Sequence, residues 1–368
     1  MPKTTLRPAL GGSSLNKQET WLISTKNLAT GYFASVMATG ILSVALLLTG
    51  HTQLSQGFWI ITAGLYIILI GAYFLRLLLF PKAVWLDLTN AGNAFGYFTF
   101  VAATNVLGTR FVLDGGFTVA VSLGFVALVS WVILTYFILM VLLFHNQEPA
   151  EKVLNGSWLM ATVSCESLAV LGSAVSNHLP HLHSQLMFVS YAFYSLGVIL
   201  YLITIAFIVN RFFFSTVTIK DLSPSYWINM GATAITTLAG SQLVLYSRES
   251  TFLAAIRPFV EGYTVMLWVW GTWWIPFLLL IGVWKHLIKR ELWRYEPNLW
   301  SIVFPLGMYT VACDTVSKIP GLQLIHVLVP AELWITMSAW SVIGVSFLTT
   351  LFKNRRSNKT TWPASHSG

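Results

Sequence analysis

Apolar runs of about 20 residues recur along this chain from residue 28 to residue 352, and no other feature constrains its fold as much. About 20 helical residues cross a hydrocarbon layer, and inside such a layer only helices and closed barrels satisfy their own backbone. These runs are too long for strands. Soluble domains are excluded by composition, because 56% apolar and 9% charged residues in a chain of 368 cannot dress a surface for water. The expected fold is all-α and integral to a membrane.

A window of about 20 residues places ten spans at roughly 28–49, 57–79, 88–108, 117–143, 154–176, 186–210, 224–246, 262–284, 298–317 and 330–352. The basic residues orient them. Only Arg110, Arg248, Arg257 and Lys318 fall on one face, leaving 17 of the 21 Lys and Arg on the other with both termini. The positive-inside rule makes that second face cytoplasmic. The expected organisation is a cytoplasmic tail over 1–27, a ten-span transport domain over 28–352 and a cytoplasmic tail over 353–368, with no cleavable signal peptide. In this frame the clusters Lys285 to Arg294 and Lys353 to Lys359 set topology and meet lipid headgroups, and nucleic acid is not an expected partner.

Odd and even spans differ in kind. Gly, Ala, Ser and Thr fill 47 of 99 positions in the odd spans against 32 of 115 in the even ones. Small residues let helices pack backbone to backbone, whereas Leu, Ile and Trp meet lipid. The odd spans should therefore be inner and the even ones outer. Each odd span also opens on an aromatic and runs into small and hydroxyl residues: Tyr32-Phe33, Tyr97-Phe98, Trp158, Tyr226-Trp227 and Trp300. This is an internal repeat of five helical hairpins, expected to surround a central pore. Gly40 and the hydroxyls of Thr39, Thr99, Thr162, Thr233 and Thr310 are the expected lining, coordinating an ion through dipoles rather than a ring of cations. The alternative is that small residues serve tight packing alone.

The phrases Met37-Ala38-Thr39-Gly40-Ile41 and Phe304-Pro305-Leu306-Gly307-Met308-Tyr309, in a ten-span chain with basic cytoplasmic ends, resemble the tellurite-resistance and C4-dicarboxylate transporter family, which includes TehA and the plant slow anion channels. The resemblance covers roughly residues 25 to 352. It implies five hairpins around a pore, often a homotrimer in the cell membrane, and passage of small anions. It also implies that Phe304 occludes the pore. Independently, Pro305 removes a backbone donor and frees a carbonyl near Ser301, a break tolerated in a membrane where protein or a cavity re-satisfies it. With few prolines in the other odd spans, any bend there falls to Gly40, Gly96 or Gly156.

Ionisable residues inside spans are costly and by default face a cavity or a partner. Glu166 is either a pore-facing group coupling proton and anion movement or a carboxyl bonded between helices away from the path. Asp314 and Lys318, four apart with the acid first, suit a helical ion pair, with Lys318 a candidate anion-attracting charge at the outer mouth. Arg76 reads as a snorkelling side chain, and His178, His181 and His183 as a solvated loop. Cys165 and Cys313 form no metal motif, and no metal or cofactor is expected. The absence of paired-acid, HExxH or phosphate-loop motifs argues against an enzyme. The reading is an anion channel or transporter; a proton-coupled C4-dicarboxylate or sulfite carrier is the alternative, and a polytopic membrane enzyme a more distant one.

Overall fold

A computed structural model describes residues 22, 24–146, 148–247 and 250–357. Residues 1–21 of the expected N-terminal tail, Arg248, and residues 358–368 of the expected C-terminal tail lie outside the described residues. Among the described residues the regular structure is entirely helical. Ten helices have 15 or more residues: α1 (Ala34–Leu48), α2 (Thr52–Leu79), α3 (Phe98–Leu113), α4 (Phe117–Phe144), α5 (Met160–Ser176), α6 (His183–Phe214), α7 (Ile228–Leu245), α8 (Thr251–Val283), α9 (Trp300–Val316) and α10 (Val329–Ser357). Seven helical segments are long and apolar enough to cross a membrane, and α1, α3 and α7 are not among them. The physical reason is that these three, dense in Gly, Ala, Thr and Asn, face protein on all sides and need no lipid-compatible surface.

The odd helices close a ring. Helix α1 packs on α3, α3 on α5, α5 on α7, α7 on α9, and α9 returns to α1, while each even helix lies on the odd helix before it. Burial separates the two classes. In the most apolar windows of the segments containing α5 and α9, 89% and 94% of residues are buried, against 11–39% in the five even helices. The exposed faces of the even helices carry Ile, Leu, Phe and Trp, among them Ile67, Phe125, Phe207, Leu280 and Val345, the surface a lipid-facing helix presents.

The odd helices begin later than the apolar pattern predicts. Short 3-10 turns at Ala94–Tyr97, Gly156–Leu159, Pro224–Trp227 and Pro297–Leu299 precede α3, α5, α7 and α9. Pro224, Gly96 and Gly156 therefore sit in entry turns and not at bends within helices. A Cβ on Gly156 would stand 2.3 Å from the carbonyl carbon of Ser225, so only glycine allows two neighbouring turns to approach this closely. Helix α9 runs unbroken through Pro305. The ring of Pro305 packs on α7 at Gly231, where a Cβ would stand 2.8 Å from Pro305 Cγ.

Candidate functional site

Two cavities open on opposite ends of the ring. The larger, about 690 Å³, lies where the odd helices begin, and each supplies a residue from its first turn or the turn before it: Gly31, Thr99, Met160, Ile228 and Ser301. Its wall carries four cations, Lys26, Arg76, Lys152 and Arg211, and two carboxylates, Asp87 and Asp221. The smaller, about 130 Å³, lies towards the other end and again draws on all five odd helices, with Ile41, Val106, Ser167, Ile235 and Met308 at its inner end. Lys318 is the one charged residue among those lining it.

Helical periodicity fixes what separates the two cavities. Residues three and four apart share a helix face, so the layer between them falls at Met37, Ala102, Val163, Gly231 and Phe304. All are buried, with Phe304 1% exposed. Three of the five are small or short, so the Phe304 ring and Met37 fill most of the layer. On α9 the face reads Ser301 in the large cavity, Phe304 in the layer, then Met308 and Val311 in the small cavity.

The five threonines do not share that face. Thr39 Oγ1 donates to Ser35 O at 2.8 Å and accepts from Trp340 Nε1 of α10 at 3.0 Å. Thr233 donates to Met230 O at 2.8 Å and backs onto Gly271 of α8. Thr310 donates to Leu306 O at 3.0 Å and meets Thr336 Oγ1 of α10 at 3.5 Å. These three hydroxyls turn outward to the even helices, because a hydroxyl with its bond given to the preceding turn packs well beneath a neighbouring helix. Gly40 is likewise a packing position, where a Cβ would stand 2.8 Å from Val106 and 3.2 Å from Thr62. Thr162 is buried, and its periodicity sets it opposite Met160 and Ser167. Thr99 alone of the five lines a cavity, donating to Gly96 O at 2.7 Å.

The sequence matches the voltage-dependent anion channel family over residues 27–348. The chain belongs to that family. An uncharacterized membrane protein of Mycobacterium tuberculosis strain H37Rv is 36% identical over 149 residues, 40% of this chain and 75% of the relative. Two uncharacterized transporters of Methanocaldococcus jannaschii are 25% and 24% identical over 329 residues, 86% of this chain and 91% and 93% of the relatives. The resemblance read from Met37–Ile41 and Phe304–Tyr309 is therefore borne out. The anion channel family and these relatives point to transport across a membrane rather than to catalysis.

The charged residues of this family member are placed tightly. Glu166 is fully buried, on neither cavity wall, with its carboxyl lying over Gly197 of α6, where a Cβ would stand 2.4 Å from Oε1. Lys318 Nζ donates to Asp314 Oδ2 at 2.7 Å, and His326 Nδ1 approaches the other oxygen of Asp314 at 3.9 Å. His183 is buried, its ring nitrogens 3.2 Å from Ser176 O and Tyr246 O, and His178 stacks on Phe117. The reading of this histidine segment as a solvated loop holds for neither, because the start of α6 turns both rings into the fold.

A clamp that the apolar pattern did not reveal recurs at the large cavity. Arg76, at the end of α2, donates to Asp87 at 2.5 Å, to Lys26 O at 3.1 Å and to Tyr97 Oη at 3.3 Å. Arg211, at the end of α6, repeats this with Asp221 at 2.8 Å, Tyr226 Oη at 3.4 Å and the carbonyl of Leu154. Lys285 does the same more simply, donating to Leu222 O at 2.9 Å. Arg76 is 3% exposed and thus does not snorkel. A guanidinium this buried needs a carboxylate and carbonyls to satisfy its five donors. Thr218 donates through its hydroxyl and its N–H to Asp221, which holds the Asp221 carboxyl below the usual carboxylate range, with Arg211 adding to the effect. The signal available beforehand was a span-ending Arg followed by Asp 11 or 10 residues later.

Proposed function

We propose that all ten helices cross the cell membrane as five hairpins with both termini cytoplasmic, and that the axis of the odd helices is an anion path closed by Phe304. The observation carrying this reading is that two cavities, each walled by all five odd helices, face one another across the layer holding Phe304. The large basic cavity is the cytoplasmic vestibule, since the lysines and arginines that orient the chain gather there. The block is apolar, so it excludes water and ions until the ring moves or the helices part. Anions are drawn in by Lys26 and Lys152 and by the partly neutralised Arg76 and Arg211, while the hydroxyls of Thr99 and Ser301 offer donors at the narrow end. Lys318 serves the outer mouth. Glu166, away from both cavities, acts as a structural carboxyl between α5 and α6 and not as a proton relay. The apolar faces of the even helices meet lipid and, in a homotrimer, neighbouring copies.

Flux of chloride, nitrate, sulfite and malate from proteoliposomes under an imposed potential, with and without a pH gradient, tests the reading. A channel passes small anions in proportion to the potential. Movement of malate or sulfite only when a pH gradient is present would replace the channel by a proton-coupled carrier.

A further inference from the structure

Asn105 supplies an acceptor that the protein leaves unanswered. It stands on α3 at the inner end of the small cavity, 1% exposed, and its Oδ1 has no hydrogen-bond partner. The orientation of the carboxamide is fixed by a relay. Ser167 Oγ gives its single hydrogen to Ser164 O at 2.7 Å and therefore accepts from Asn105 Nδ2, at 2.8 Å. Turning the amide over would set Nδ2 against nothing and Oδ1 against an oxygen with no hydrogen to give. A buried carbonyl left unpaired in this way is costly, and a cavity beside it is where a partner enters.

The remaining wall states what that partner is. Gln242 lines the same cavity, and its Oε1 accepts from Ser173 Oγ at 2.6 Å, leaving its NH₂ to donate elsewhere. Lys318 is the cavity's one lining charge, and it is positive. A halide or a fully deprotonated anion satisfies the donors but is repelled by the Asn105 carbonyl. A cation suits the carbonyl but is repelled by Lys318. We propose that this outer cavity is a binding site for a small oxyanion that carries its own proton, whose O–H donates to Asn105 Oδ1 while its charged oxygen accepts from Gln242. Asn105 thereby sets specificity among anions one helical turn above Phe304. The proposal rests on the anion-path reading only for the order of the cavities, and binding is measurable whether or not any ion flows.

Hydrogencarbonate and nitrate make the test sharp, because both are small, singly charged and trigonal and only the first has an O–H. The thermal midpoint of the purified protein is measured with each salt at equal concentration and ionic strength, for wild type, Asn105→Leu and Ser167→Ala. A ligand bound to the native state raises the midpoint by mass action. The expected result is a rise with hydrogencarbonate at least twice that with nitrate in wild type. Asn105→Leu should abolish this difference. Ser167→Ala, which frees the carboxamide to turn its NH₂ into the cavity, should shift the preference toward nitrate. Equal rises in wild type, or a hydrogencarbonate preference that survives in Asn105→Leu, would mean that the carbonyl is met by water only and would overturn the proposal. Where Asn105→Leu fails to fold, the Ser167→Ala comparison decides alone: an unchanged preference overturns it. Failure of flux with success of this binding test would count against the channel and not against the site.

Discussion

Arg76 Nη2 donates to Asp87 Oδ2 at 2.5 Å, tying the end of α2 to the short helix Pro81–Thr89 that leads toward α3. Removing one partner of a buried ion pair leaves a charge without compensation and costs about 3–5 kcal/mol. Asp87 is one-fifth exposed, so Asp87→Ala should fall at the lower end, about 3 kcal/mol, read as a clear drop in thermal midpoint in detergent. Arg76→Met combined with Asp87→Leu should recover much of the loss, since neither charge is then stranded.

The second clamp carries a pH signature. Because hydrogen bonds from Thr218, with Arg211 beside them, lower the native carboxyl of Asp221, that carboxylate stabilises the fold when ionised. Its contribution is full above the unfolded value of about 3.9 and is lost as pH falls through the lower native value. Asp221→Asn should therefore be less stable than wild type at neutral pH, and the two should converge in acid. Thermal midpoints across pH 3 to 8 check this; a difference that widens in acid would have the wrong sign.

Gly156→Ala should be severely destabilising, because the new Cβ would stand 2.3–2.5 Å from three backbone atoms of Ser225 and Tyr226, which cannot swing aside as a side chain would. Gly64→Ala, with nothing within 4 Å of its added Cβ, is the control. It should be neutral or gain up to about 1 kcal/mol of helix propensity. Expression level and thermal midpoint distinguish the two.

The small-residue bias of the odd spans and the bulky bias of the even ones were readable because burial and lipid exposure act on residue size at every position. The same bias hid which way each threonine points. Thr39, Thr233 and Thr310 lie about two residues from the inward face, a shift of roughly half a helical turn, and a sequence phrase such as Met37–Ile41 holds both inward and outward positions. Phe304 was legible through its phrase, and the helical repeat then places it on the face of Ser301 and Met308. The Arg76 and Arg211 clamps were not legible, since their carbonyl partners, Lys26 and Leu154, are distant in sequence and chemically silent there. Asn105 went unnoticed because an amide inside a run of Thr, Ala and Val has no pattern to mark it.

At the outer mouth, Asp314 holds Lys318 at 2.7 Å and thereby neutralises part of its field. Asp314→Asn should release that charge and speed anion entry from outside, whereas Lys318→Gln should slow it. Both effects should shrink as ionic strength rises, because a half-exposed charge at a mouth is screened by salt. Initial rates of chloride entry at low and high salt check the direction.

The central claim is that Phe304 closes an otherwise continuous path. Phe304→Ala removes the largest side chain in a layer whose other members include Ala102, Val163 and Gly231. Chloride and nitrate flux should rise at least tenfold over wild type in proteoliposomes of equal protein content at the same imposed potential. An Ala variant that folds, inserts and passes no more anion than wild type would contradict the account.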